Sequence, residues 1–125
     1  MFDIKSVINL HDKILAKYGG ASGVRDSNLL DSALNRPFQT FGGEDLYSSF
    51  YEKAAAVIQS IIINHPFVDG NKRIGYYMAR AIFLNYALDI NASENDKYDF
   101  VIAIAQGKLE VEEIANWFLQ HTKNL

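Results

Sequence analysis

The sequence contains no cysteine. That excludes a disulfide framework, a thiolate nucleophile and a zinc–thiolate centre. No apolar run reaches membrane-spanning length, so no membrane partner is expected. The opening stretch, MFDIKSVINLHDKI, mixes charges into its apolar positions and lacks the apolar centre of a secretion signal, which makes the cytoplasm the expected compartment. Positive charge is not in excess. A net charge of −3 and a pI near 5.5 disfavour broad binding to a phosphate backbone, so direct contact with nucleic acid is not expected. Repeats, low-complexity tracts and linkers are also missing. Proline occurs only at Pro37 and Pro66, and both positions read as helix punctuation.

What remains is one domain, residues 1–125, with enough chain to bury a core without metal or disulfides. The 49% hydrophobic content, with 13% aromatic residues, fits a folded globular protein. Ile4, Val7, Ile8, His11, Ile14, Leu15 and Tyr18 follow helical spacing, with Asp3 as N-cap and Gly19-Gly20 as the stop. Asp26 caps a short helix through Leu34, which Pro37 ends. PFQTFGGEDLY (residues 37–47) has no clear period and reads as either a loop or a small hairpin. Ser49 and Glu52 have capping-box spacing and open AAAVIQSIIIN, an almost wholly apolar helix expected at the centre of the core. A second apolar helix is expected from residue 71 to about Leu88. Asn91 or Ser93 caps a further helix through Ala105, which Gly107 stops, and a last helix covers roughly Val111 to Thr122. The expected fold is all-α, a bundle of about six helices with almost no strand. Within it, His11 reads as a satisfied core or interface histidine, His121 as solvated, Tyr76 and Tyr77 as packing residues, and Arg80 as half of a structural ion pair.

The informative stretch is HPFVDGNKR, residues 65–73. It joins the two apolar helices, so it is held at both ends. It also places Lys72 and Arg73 in the first turn of the second helix. There the helix dipole is positive and the backbone N–H groups lack partners, so two cations are unfavourable unless an anion joins them. His65 precedes a proline and so marks the end of the first helix. Phe67 is apolar between polar neighbours and reads as the anchor of the loop. Asp69 offers a hard oxygen suited to magnesium, and Gly70 permits a tight turn or close approach by a ligand. Asn71 either caps the next helix or donates its amide to an anion. A polyphosphate would satisfy the N–H groups, Lys72 and Arg73 together, while a histidine in reach would deprotonate an incoming hydroxyl. The residues thus suggest a nucleotide-phosphate site with a general base, and transfer to a hydroxyl. Their ordinary alternative is a turn with a capping Asn and solvent-facing cations.

The same nine residues resemble the signature loop of the Fic/Doc superfamily: His, any residue, Phe, any residue, an acidic or amide residue, Gly or Ala, Asn, Gly or Lys, and Arg. GVRDSNLLDSALNRP (residues 23–37) and GKLEVEEIANWF (107–118) resemble segments of death-on-curing (Doc) toxins, so the likeness spans nearly the whole chain. Fic adenylyltransferases usually carry Gly at the position of Lys72 and a second Arg at that of Tyr76, and both departures point to the Doc branch. The resemblance implies the Fic/Doc fold and a protein kinase that uses ATP and Mg2+ to phosphorylate a threonine of elongation factor Tu, stopping translation. It also implies an antitoxin partner whose C-terminal segment lies in a groove of the toxin. It makes His65 the general base, Asp69 the magnesium ligand, Gly70, Asn71, Lys72 and Arg73 the ATP-phosphate binders, and Phe67 the anchor. Residues 38–47 are either a flap that aligns a target strand or a plain surface loop, and Arg25 is a candidate for a surface facing an acidic partner. A Fic-type adenylyltransferase and a non-catalytic nucleotide- or partner-binding module are the competing functions.

Overall fold

Short polar side chains start four of the helices. A computed structural model describes residues 2–125, and in it Asp3 caps α1 (Ile4–Tyr18), Asp26 caps α2 (Ser27–Asn35), Ser49 caps α3 (Phe50–Asn64) and Ser93 caps α5 (Glu94–Ala105). In each case the side-chain oxygen accepts from a first-turn N–H that has no helical partner. Two helices begin differently: α4 (Asn71–Leu84) follows Gly70, and α6 (Val111–Gln120) follows Glu110, whose N–H donates to Glu113. At Ser49 the capping box is only half formed. Ser49 Oγ accepts from Glu52 N–H at 3.1 Å, but the Glu52 carboxylate turns to the hydroxyls of Ser48 and Ser49.

Helix α3 is the axis of the molecule. Ala54–Ile58, Ile61 and Ile62 are almost fully buried, and α2, α4, α5 and α6 all pack on this helix. The β-branched Ile61–Ile63 run stays helical, because the packed surroundings of a long apolar segment outweigh a weak local preference for strand. Phe83, Phe100 and Phe118 close the other side of the core, with ring centroids 5.0–5.2 Å apart. Phe100 lies flat on Trp117 at 3.8 Å.

Several boundaries differ from the sequence expectation. Helix α4 stops at Leu84, not near Leu88, because Ala87 takes a left-handed φ of 57° and turns the chain into a strand. The last helix stops at Gln120, and Thr122–Asn124 pairs antiparallel with Leu88–Ile90. This pairing (strands β4 and β3) gives the backbone of both segments partners that extra helical turns would have supplied. Residues 38–47 do form a hairpin: β1 (Thr40–Phe41) pairs with β2 (Glu44–Asp45) across Gly42-Gly43. Pro37 sits in a single 3-10 turn, Arg36–Phe38, after α2. His121 is not simply solvated. It is half-buried, its Nδ1 is 2.7 Å from the Trp117 carbonyl, and its ring stacks on the indole at 4.0 Å.

Candidate active site

His65 ends α3 in a left-handed conformation, φ 51° and ψ 60°. For a residue with a Cβ this costs about 1–2 kcal/mol. Neighbouring contacts hold it there. Its own N–H donates to the Ile61 carbonyl at 3.2 Å. The Arg25 guanidinium donates to the carbonyls of His65 (2.6 Å) and Asn64 (2.7 Å), so Arg25 closes the C-terminus of α3. Arg25 itself remains exposed while making this contact. The His65 ring is exposed, with Nδ1 3.1 Å from the Ile63 carbonyl. A carbonyl can only accept, so Nδ1 carries the hydrogen, and in the neutral ring Nε2 keeps a free lone pair.

The loop that follows is pinned along its length. Phe67 is fully buried, as expected of the anchor, and lies flat on His11 at 3.8 Å. Residues 23–26 run beside it: Arg25 and Asp26 N–H groups donate to the Pro66 carbonyl, and Val68 N–H donates to the Gly23 carbonyl. Asn71 is turned inward. Its Oδ1 accepts from Phe67 N–H and its Nδ2 donates to the Phe67 carbonyl, both at 3.0 Å. Its side chain therefore neither caps α4 nor points at an anion; it clamps the loop. Gly70 is left-handed, φ 76°, and a Cβ there would lie 3.3 Å from His11 Nε2, so both conformation and space favour glycine.

Asp69 is exposed. The N–H groups of Gly70 and Ala21 donate to its carboxylate and hold its pKa below the ordinary carboxylate value. It is thus ionised at neutral pH, with lone pairs remaining on both oxygens. Among the described residues, no cluster of three or more His, Cys, Asp or Glu is placed to hold a metal. A single carboxylate fits magnesium that arrives on a nucleotide, since that ion takes one or two carboxylates and fills its shell with phosphate and water.

The first turn of α4 is the electropositive part. Gly70 provides no side-chain cap. Lys72 and Arg73 are exposed, and among the described residues neither forms an ion pair. Both line a cavity of about 400 Å³ together with Lys97, Glu94 and four tyrosines, Tyr18, Tyr76, Tyr77 and Tyr98. The Arg73 guanidinium sits 4.1 Å from the Tyr18 ring centre. Lys17, then Tyr77, with a smaller effect from Arg73, lower the Tyr18 hydroxyl below its usual pKa, whereas burial raises that of Tyr76. His65, Asp69 and Asn71 are not part of the cavity wall. Arg80, two turns further along, is engaged elsewhere as expected, in a two-pronged ion pair with Asp89 at 2.8 and 3.0 Å.

Residues 1–83 match the sequence model of the Fic/DOC family. The chain belongs to the Fic/Doc family. The match contains the whole loop of residues 65–73. Among its relatives, a protein named Toxin Doc from Mycolicibacterium smegmatis is 48% identical over 62 residues, which is 50% of this chain and 48% of that protein. The chain thus matches about half the length of that relative. A second, named Protein kinase doc, from Escherichia phage P1, is 23% identical over 112 residues, 90% of this chain and 87% of that protein.

The Fic/Doc loop reads directly from sequence, but its supports do not. His11 was legible as a core histidine, and it is 1% exposed, yet nothing in α1 announces that its Nε2 lies 2.7 Å from the Asp69 carbonyl. Arg25, Ala21 and Tyr18 likewise reach the loop or its cations only through tertiary packing.

Proposed function

We propose that this protein is a toxin of a toxin–antitoxin system and acts as a protein kinase, transferring the γ-phosphate of ATP to a Ser or Thr hydroxyl of a translation factor. Family membership and the relative named Toxin Doc support the toxin reading, and the relative named Protein kinase doc supports the kinase reading. The observation that carries the chemistry is the first turn of α4. Four other helices have a side-chain cap, whereas this one has bare N–H groups and two cations without a carboxylate partner. Such a turn is well suited to an anion of several charges.

In this reading Lys72, Arg73 and the first-turn N–H groups of α4, with Gly70 allowing close approach, hold the phosphates. Asp69 would hold magnesium, which when bound neutralises phosphate charge. His65 Nε2 takes the proton from the acceptor hydroxyl. The hydroxyl oxygen forms its bond to the γ-phosphorus, the bond from that phosphorus to the bridging oxygen breaks, and ADP leaves. Lys72 favours the kinase reading over nucleotidyl transfer. Its side chain fills space beside the helix N-terminus where inner phosphates would settle against a glycine, so the terminal phosphate faces the base. The hairpin of residues 40–45 is suited to align an extended acceptor segment by strand pairing. The resemblance supplies elongation factor Tu as the acceptor protein and an antitoxin tail as the inhibitor.

The test uses ATP labelled at the α or the γ position, with purified protein and cell extract. Protein label from γ alone is the expected result, and it should vanish in His65→Ala, whose exposed ring contributes little to the core. Label from the α position instead assigns adenylylation. No protein label from either source refutes transfer.

A further inference from the structure

The contacts that the loop motif does not contain converge on one residue. The Asp69 carbonyl accepts from His11 Nε2 at 2.7 Å, and Asp69 Oδ2 accepts from the Ala21 N–H at 3.2 Å. Asp69 Oδ1 accepts from the Gly70 N–H at 2.8 Å. The Gly20 backbone passes so close that a Cβ there would lie 2.8 Å from Asp69 Oδ2. Helix α1 and the turn behind it thus fix both the main chain from which this carboxylate hangs and the torsions of the side chain itself. His11 is buried and stacked on Phe67, so its ring has little freedom to follow a moving loop.

We infer that His11 and the Gly20–Ala21 turn are positioning residues that aim the Asp69 carboxylate at the divalent cation carried by the nucleotide. The inference rests on the reading of Asp69 as magnesium ligand. Its physical basis is the strict geometry of that ion, which demands near-octahedral oxygens at short range and tolerates a wandering ligand poorly. A carboxylate whose two oxygens each accept an N–H, on a main chain pinned by a buried imidazole, needs little further ordering when the cation arrives. Each oxygen still has a lone pair for the metal.

The experiment measures the affinity of the β,γ-imido analogue of ATP for the full chain, with Mn2+ and without, and reads the ratio. Asp69→Asn should reduce the ratio to near one. His11→Phe keeps an aromatic ring against Phe67 but removes the donor, and Gly20→Ala pushes on Oδ2. Each should cut the ratio about tenfold, a loss typical of groups that orient a metal ligand, with metal-free affinity unchanged. His11→Gln, which restores a donor, should recover much of the ratio. Melting temperatures are recorded alongside, because a merely structural role lowers them without moving the ratio. If Asp69→Asn loses the ratio while His11→Phe and Gly20→Ala keep it, the inference is overturned and Asp69 stands as ligand. If His11→Phe does not fold, a wild-type ratio in Gly20→Ala overturns it equally. A wild-type ratio near one, or one unchanged in Asp69→Asn, overturns the Asp69 reading itself and the inference with it.

Discussion

Replacing Asn71 by Asp should turn the clamp of the signature loop into a pH-dependent weakness. The side chain is 6% exposed and bonds Phe67 twice, accepting from its N–H and donating to its carbonyl. Aspartate has the same shape, so packing is preserved and only the chemistry of one atom changes. Once ionised, the oxygen that replaces Nδ2 cannot donate and faces the Phe67 carbonyl at about the 3.0 Å of the present bond. The lost bond, the stranded carbonyl and the buried charge together cost about 3 kcal/mol. Unfolding entropy for 125 residues is about 0.26 kcal/mol/K, so the melting temperature should fall by about 11 °C at neutral pH. The sign with pH is fixed by linkage. The new carboxyl has a folded pKa above its unfolded value of about 3.9. Below that value both states bind the proton, and the protonated carboxyl donates to the carbonyl as the amide did. The gap between variant and wild type then widens as pH rises from about 4 toward the raised folded value and stays constant beyond it. Thermal melts of both proteins across this range measure the gap directly. A gap below about 3 °C that does not change with pH would refute the clamp. Phosphoryl transfer at neutral pH should drop about a hundredfold, because the displaced loop carries both His65 and Asp69.

Lys72→Gly should lower γ-phosphate transfer at least about tenfold, about 1.4 kcal/mol of transition-state stabilisation. Full γ-transfer in that variant would show that Lys72 does not set the orientation of the nucleotide. Arg25→Ala removes the two bonds that close α3 and should cost about 1 kcal/mol in urea unfolding, with reduced transfer as His65 loses its pin; an unchanged midpoint would contradict this. Asp89→Asn breaks the pair with Arg80, which holds the Asp89 carboxyl below its ordinary pKa. That stabilisation is complete above the unfolded carboxylate value and disappears as pH falls through the lowered folded one. The variant should therefore lose about 1 kcal/mol, or about 4 °C, at neutral pH and match wild type in acid.

The sequence alone determined whatever depends on neighbours along the chain. Helical spacing in α1, the caps at Asp3, Asp26 and Ser49, and a tight turn at Gly70 are local, since a cap and the N–H it serves lie within three residues; between Asn91 and Ser93 the structure chose Ser93. The loop was legible for the same reason: His65, Asp69, Lys72 and Arg73 stand within nine residues, and their charge conflicts with the helix end that carries them. Tertiary structure decided the ends of α4 and α6, because Leu88–Ile90 and Thr122–Asn124 are distant in sequence and become strands only by meeting each other. It also decided what Asn71 does. A side-chain amide satisfies a cap, an anion or a buried backbone pair equally well by composition, and only the position of Phe67 in the core selects the last. His11 and Asp69 lie 58 residues apart. A hydrogen bond across that separation leaves no periodicity to read, and it exists because α1 and the α3–α4 corner bury their apolar faces against the same core.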